Sequence, residues 1–118
     1  MRYILLIYGN DEMYGPPPGT PEWDALMAEY FALGRKLREA GIDQPAEELD
    51  RAETATTVRV RNGETLLSDG PFIEAKEQLG GFYIVEAESV EEAAKWAALI
   101  PGSRTGAIEI RPLVEHNG

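Results

Sequence analysis

Two runs of this chain are apolar at every position: Tyr3-Ile4-Leu5-Leu6-Ile7-Tyr8 and Phe82-Tyr83-Ile84-Val85. Their length and β-branching mark both as strands. Successive side chains of a strand point to opposite faces, so such a run needs cover on both sides of its sheet. The supply of cover is limited, because the sequence holds only two helical segments. The first opens at Thr20-Pro21, an N-cap residue followed by proline at the first helical position. Trp23, Leu26, Met27, Tyr30, Phe31 and Leu37 then recur at helical spacing up to Gly41, which predicts a helix of roughly 20 residues. The second opens on the capping box Ser89-Val90-Glu91-Glu92, carries Ala93, Trp96, Ala97 and Ile100 on one face, and stops at Pro101-Gly102.

The remaining strands are shorter or half-polar. Glu47 to Asp50 is read as the start of a short strand. Val58 and Val60 alternate with Arg59 and Arg61, Asn62-Gly63 follows, and then Glu64-Thr65-Leu66-Leu67. Asn-Gly between two extended runs signals a hairpin, because both turn positions take positive φ. In that register Arg61 faces Glu64, a solvated pair that contributes little. Ala107 to Val114 is the last strand, broken at Pro112 and therefore placed at a sheet edge. The order is the split β-α-β pattern of an α+β, ferredoxin-like βαββαβ domain with an extra β-hairpin. At 118 residues the chain suits one domain, residues 1–118. Two helices cover only one face of a four-stranded sheet. The simplest cover for the other is a second copy packed sheet to sheet, so the expectation is a homodimer closed as a dimeric α+β barrel.

Composition removes several kinds of chemistry. There is no cysteine, which excludes disulfides, thiolate metal sites and cysteine nucleophiles. The one histidine, His116, stands in the C-terminal tail, so no histidine-rich metal site forms within one chain. No calcium-type ligand loop is visible, and neither metal nor cofactor is expected. The formal net charge of −10 repels phosphate backbones and anionic membranes, so neither nucleic acid nor membrane is an expected partner. The apolar opening Met1 to Tyr8 is too short for a signal-peptide core with its cleavage site or for a membrane span, and the expectation is a cytoplasmic protein.

Asp69-Gly70-Pro71-Phe72, followed by Glu74, Lys76-Glu77 and Leu79-Gly80-Gly81-Phe82, resembles the signature of the DGPF-domain branch of the YCII-related family. The likeness extends to the opening strand, the hairpin, the capped helix from Ser89, the Leu99-Ile100-Pro101 stop and the ending Glu109-Ile110-Arg111-Pro112. It implies a ferredoxin-like dimeric α+β barrel, in agreement with the argument from sheet faces. The wider family is suggested to include enzymes with a histidine–aspartate pair. This chain departs from that pattern, since His116 lies beyond the last strand, and Asp69 is left as a lone carboxylate. The resemblance also implies a transcription-related, sigma-factor-associated setting for some members, and hence a regulatory ligand-binding reading.

Each candidate residue has two readings. Asp69 is a turn residue accepting backbone amides beside Gly70 and Pro71, or a general base at the mouth of an inter-subunit cavity. Glu74, Lys76 and Glu77 are a solvated charge cluster, or Lys76 binds an anionic group. Gly80-Gly81 is a bend before the strand, or a close approach of backbone to a ligand. Glu109 and Arg111 share one face of the last strand, opposite Ile108 and Ile110. They make a cross-interface salt bridge, or Arg111 clamps a substrate carboxylate. The loop from Gly9 to Pro21, with three glycines and four prolines, is the candidate lid, flanked by Tyr8 and containing Tyr14. The competing functions are a cofactor-independent enzyme for proton transfer or elimination on a small molecule, a ligand-binding regulatory module, and a structural dimer module.

Overall fold

The computed structural model describes residues 1–116. In chain order it contains β1 (Arg2–Gly9), α1 (Pro21–Glu39), β2 (Glu47–Glu48), β3 (Thr56–Arg61), β4 (Glu64–Asp69), β5 (Gln78–Glu86), α2 (Val90–Ala97) and β6 (Ala107–Pro112). Short 3-10 turns lie at Asp11–Tyr14, Ala52–Thr54 and Pro101–Arg104. Both helices start where their caps predict. The Thr20 hydroxyl accepts from the Trp23 N–H at 3.2 Å, and the Ser89 hydroxyl accepts from the Glu92 N–H at 3.2 Å. Each such cap contributes about 1 kcal/mol. The Glu92 carboxylate returns the contact one residue further out, accepting from the Glu88 N–H at 3.0 Å.

Four strands form one antiparallel sheet in the order β2-β5-β1-β6, and β3 pairs only with β4 in a separate two-stranded sheet. Two helices with antiparallel sheets in this order are consistent with a ferredoxin-like α+β fold. β6 is an edge strand, as Pro112 requires. In the hairpin Arg61 opposes Glu64, and Asn62 and Gly63 take φ of 51° and 77°.

The core lies between one face of the four-stranded sheet and the two helices. Tyr3 and Leu5 of β1 and Val85 of β5 meet Leu33 and Leu37 of α1, and Ala93 and Ala97 of α2. Ile100 closes it. Full burial of a side chain such as Leu5 or Ile100 contributes about 1.5–3 kcal/mol. Ile108 and Ile110 pack against the same core, so alternation turns Glu109 and Arg111 to the other side of the sheet. Ile4, Leu6 and Tyr8 of β1 and Ile84 of β5 share that second face and are half-buried. No helix of the described residues covers it.

Three expectations need correction. Phe31 is not on the buried stripe of α1: it is 68% exposed, while Leu33 takes the buried position. β5 begins at Gln78, so Gly80 and Gly81 lie inside the strand and not before it. The last strand ends at Pro112, short of Val114.

Candidate functional site

A cavity of about 260 Å³ opens beneath the N-terminal half of α1, on the helix side of the sheet. Its roof is Trp23, Leu26, Met27 and Tyr30, one stripe of the helix. Its floor is Gly80, Gly81 and Tyr83 of β5, and β2 forms one rim. An apolar cavity of about 150 Å³ holds a benzene-sized molecule, so this one takes a single ring with a short arm.

Two floor residues, Gly80 and Gly81, lack side chains, which lets other parts of the chain pack close to β5. Register shifts between Ile7 and Tyr8, where Ile7 opposes Gly81 and Tyr8 opposes Leu79, leaving Gly80 as an unpaired bulge residue. A Cβ on Gly80 would stand 2.7 Å from the Met13 sulfur, and a Cβ on Gly81 2.8 Å from the Glu47 carbonyl oxygen. The glycine pair thus admits Met13 on one side and the β2 backbone on the other. The Leu49 N–H donates to the Gly80 carbonyl at 2.9 Å and ties β2 down at the bulge.

Met13 and Tyr14 belong to the 3-10 turn in the long loop after β1. The Asn10 side chain caps that turn by accepting from the Glu12 N–H at 2.9 Å. The Tyr14 hydroxyl accepts from the Ala52 N–H at 3.2 Å, and the Arg51 guanidinium stacks over its ring at 4.3 Å. Met13 and Tyr14 separate the cavity from a second, wider cleft of about 570 Å³, which they also line.

Electrostatics gives the cavity a sign. Glu48 opposes Gly81 in the β2–β5 register, so it shares the helix side with Tyr83. Burial raises the Tyr30 hydroxyl above the ordinary phenol value, and the nearby Glu48 charge adds to the rise. Burial, with a further contribution from Tyr30, pushes Tyr83 up to about 12. Both phenols are therefore neutral donors at physiological pH. Among the described residues no lysine, arginine or histidine lines the cavity. The Arg104 guanidinium, which acts on Tyr30 from outside, is held by Glu29 at 2.7 Å.

Of the residues singled out in the sequence, Tyr14, Gly80 and Gly81 line this cavity and the others fall elsewhere. Tyr8, Glu109 and Arg111 lie on the second face of the sheet, with Glu109 opposite Leu6 and Arg111 opposite Ile4. Asp69 ends β4, exposed and paired with Thr56. Among the described residues no hydrogen bond reaches its carboxylate. The join is fixed instead by backbone: Gly70, at φ 97°, donates its N–H to the Ala55 carbonyl at 2.7 Å and accepts from the Thr57 hydroxyl at 2.8 Å. Phe72 is exposed beneath the Arg59 guanidinium at 5.2 Å. Pro71, Glu74 and Lys76 line the wider cleft opposite Asp11, Glu12 and Glu53. Glu77 is exposed on the same irregular stretch, which is neither strand nor helical turn. Gln78 holds it by donating to the Ile73 and Ala75 carbonyls at 2.8 and 3.0 Å. His116 is exposed beyond β6, next to Glu115, which pairs with Arg2 at 2.8 Å. The structure therefore does not gather Asp69, Lys76, Tyr8, Glu109 and Arg111 into one site within the chain.

Trp23, Met27, Tyr30 and Glu48 were not read from the sequence as lining a site. Their signal was present: three bulky residues on one helical stripe and a pair of adjacent glycines in a strand.

The YCII-related domain matches residues 1–117. An uncharacterized protein of Rhizobium meliloti is 39% identical over 115 residues, spanning 96% of this chain and 92% of that protein.

Proposed function

The chain belongs to the YCII-related domain family, and we propose that it binds a small, largely apolar molecule in the cavity beneath α1, as half of a homodimer packed sheet to sheet. The observation that carries this reading is the cavity itself. Trp23, Met27, Tyr30 and Tyr83 surround a space whose floor includes two glycines, with Glu47 and Glu48 of β2 at the rim. Sites for small molecules combine mostly apolar walls with a few placed polar groups, and this one has that make-up. The phenols are held protonated, so they suit hydrogen bonding better than base chemistry, and the reading is binding before catalysis. The Asp69-Gly70-Pro71-Phe72 tetrapeptide supports placement in the DGPF branch. In a sheet-to-sheet dimer Tyr8, Glu109 and Arg111 would lie at the seam between copies, apart from this cavity.

The test is a metabolite screen by thermal shift on the wild type and on Met27→Trp, which fills the roof. The expected result is at least one compound that raises the melting temperature of the wild type and has no effect on the filled variant. Compounds that stabilise both proteins equally, with none selective for the wild type, would refute the cavity as the binding site.

A further inference from the structure

We infer that the occupant of this cavity is an organic cation: a compact ring or alkyl body bearing an ammonium group, seated with its charge toward Glu48. The inference rests on the small-molecule reading above and adds the ligand's charge. Three observations on the lining support it. The carboxylates are those of β2, and Glu48 is the one turned to the helix side. Trp23, Tyr30 and Tyr83 line the space, and the π-electron density of aromatic rings attracts cations, Trp most strongly. Among the described residues no basic side chain lines the space, so a carboxylate or phosphate ligand would lose its hydration with no counter-charge in return. The nearest guanidiniums are already engaged, Arg104 with Glu29 and Arg51 with the Tyr14 ring. The net charge of −10 adds a long-range field of the same sign, which concentrates cations around the molecule.

The experiment compares three probes of nearly equal shape by isothermal titration: 2-phenylethylammonium, 2-phenylethanol and phenylacetate. The ammonium is expected to bind at least about tenfold tighter than the alcohol, the scale of one charge-assisted hydrogen bond, with phenylacetate weakest. Glu48→Gln is expected to abolish that preference by bringing the ammonium's affinity down to the level of the alcohol's. Met27→Trp is expected to abolish binding of the ammonium. Equal or tighter binding of the alcohol or phenylacetate overturns the inference, as does a preference that survives Glu48→Gln. An ammonium affinity that persists in Met27→Trp and fades with salt is surface attraction, and it overturns the inference too. Failure of all three probes sinks the cation proposal. The small-molecule reading then stands or falls separately, on whether the screen yields a compound that Met27→Trp excludes.

Discussion

Tyr83 shows how one residue ties the cavity to the stability of the fold. Its phenol lies under α1 with Tyr30, and burial pushes it up to about 12, against an ordinary value of about 10. The folded state thus favours the neutral form. The stabilising effect is complete below pH ~10, declines as the unfolded chain ionises first, and is lost as pH rises through ~12. Phenolate absorbance should show a tyrosine component titrating at about pH 12 that is missing in Tyr83→Phe. Urea unfolding across the same window should show the midpoint falling with pH. Tyr83→Phe should flatten part of that fall. A wild type and Tyr83→Phe with parallel pH profiles would mean that Tyr83 ionises freely in the folded protein.

Among the elements, β2 is the least secure and the most consequential. It has two paired residues, Glu47 and Glu48, and both are exposed. Its position depends on the bare backbone of β5. Gly81→Ala would set a methyl group 2.8 Å from the Glu47 carbonyl, and backbone cannot yield as a flexible side chain does. Such overpacking costs about 1–3 kcal/mol. The expected outcome is detachment of β2 with the β5-β1-β6 core intact: the Leu49 amide, bonded to Gly80, should exchange faster with solvent, while the Leu5 and Val85 amides stay protected. Ligand binding should fall with it, since Glu48 leaves the rim. Unchanged exchange at Leu49 would show that β2 is held by something other than this contact. The same element marks the limit of what the sequence discloses. The helix starts at Thr20 and Ser89 and the Asn62-Gly63 turn are legible because each depends on neighbours within a few residues. The stripe of α1 is legible except at Phe31, where helical spacing alone does not separate the edge of the stripe from its centre. A strand reading Glu-Glu has no apolar pattern to fix its extent: the short strand read from Glu47 to Asp50 is present but pairs only at Glu47 and Glu48. The cavity is less legible still, because Met13, Trp23, Glu48 and Tyr83 meet only after the sheet has formed. The charged run behind Pro71 drew attention as a site, yet there sequence adjacency produced an irregular stretch on a wide cleft, and the groups around the cavity beneath α1 came from distant positions.

The whole chain is a slab, 49 × 46 × 19 Å, with a radius of gyration of 16.4 Å. A compact domain of 100 residues has about 13 Å. A thickness of 19 Å fits one layer of helix on one layer of sheet, which leaves the second sheet face uncovered. That face carries Ile4, Leu6 and Ile84 at its centre, with Glu109 and Arg111 along β6. A second apolar surface competes for the role of interface: the hairpin exposes Val58 (57%), Val60 (58%) and Leu67 (69%). Two variants decide between them. Leu6 is flanked by Phe82 on one side and Glu109 on the other, so Leu6→Asp places a charge at the middle of the sheet face and beside a like charge. Its side chain points away from Leu5 and the helices, so the core is spared. If dimers pack sheet to sheet, light scattering should give the wild type twice the 13.0 kDa chain mass, Leu6→Asp the single-chain mass with an unchanged circular dichroism spectrum, and Val60→Lys the dimer mass still. A monomeric Val60→Lys beside a dimeric Leu6→Asp would move the interface to the hairpin. A monomeric wild type at micromolar concentration would remove the dimer altogether. Because the cavity beneath α1 lies on the helix side of the sheet, a folded Leu6→Asp monomer should still bind the ammonium probe, which separates assembly from recognition in one protein.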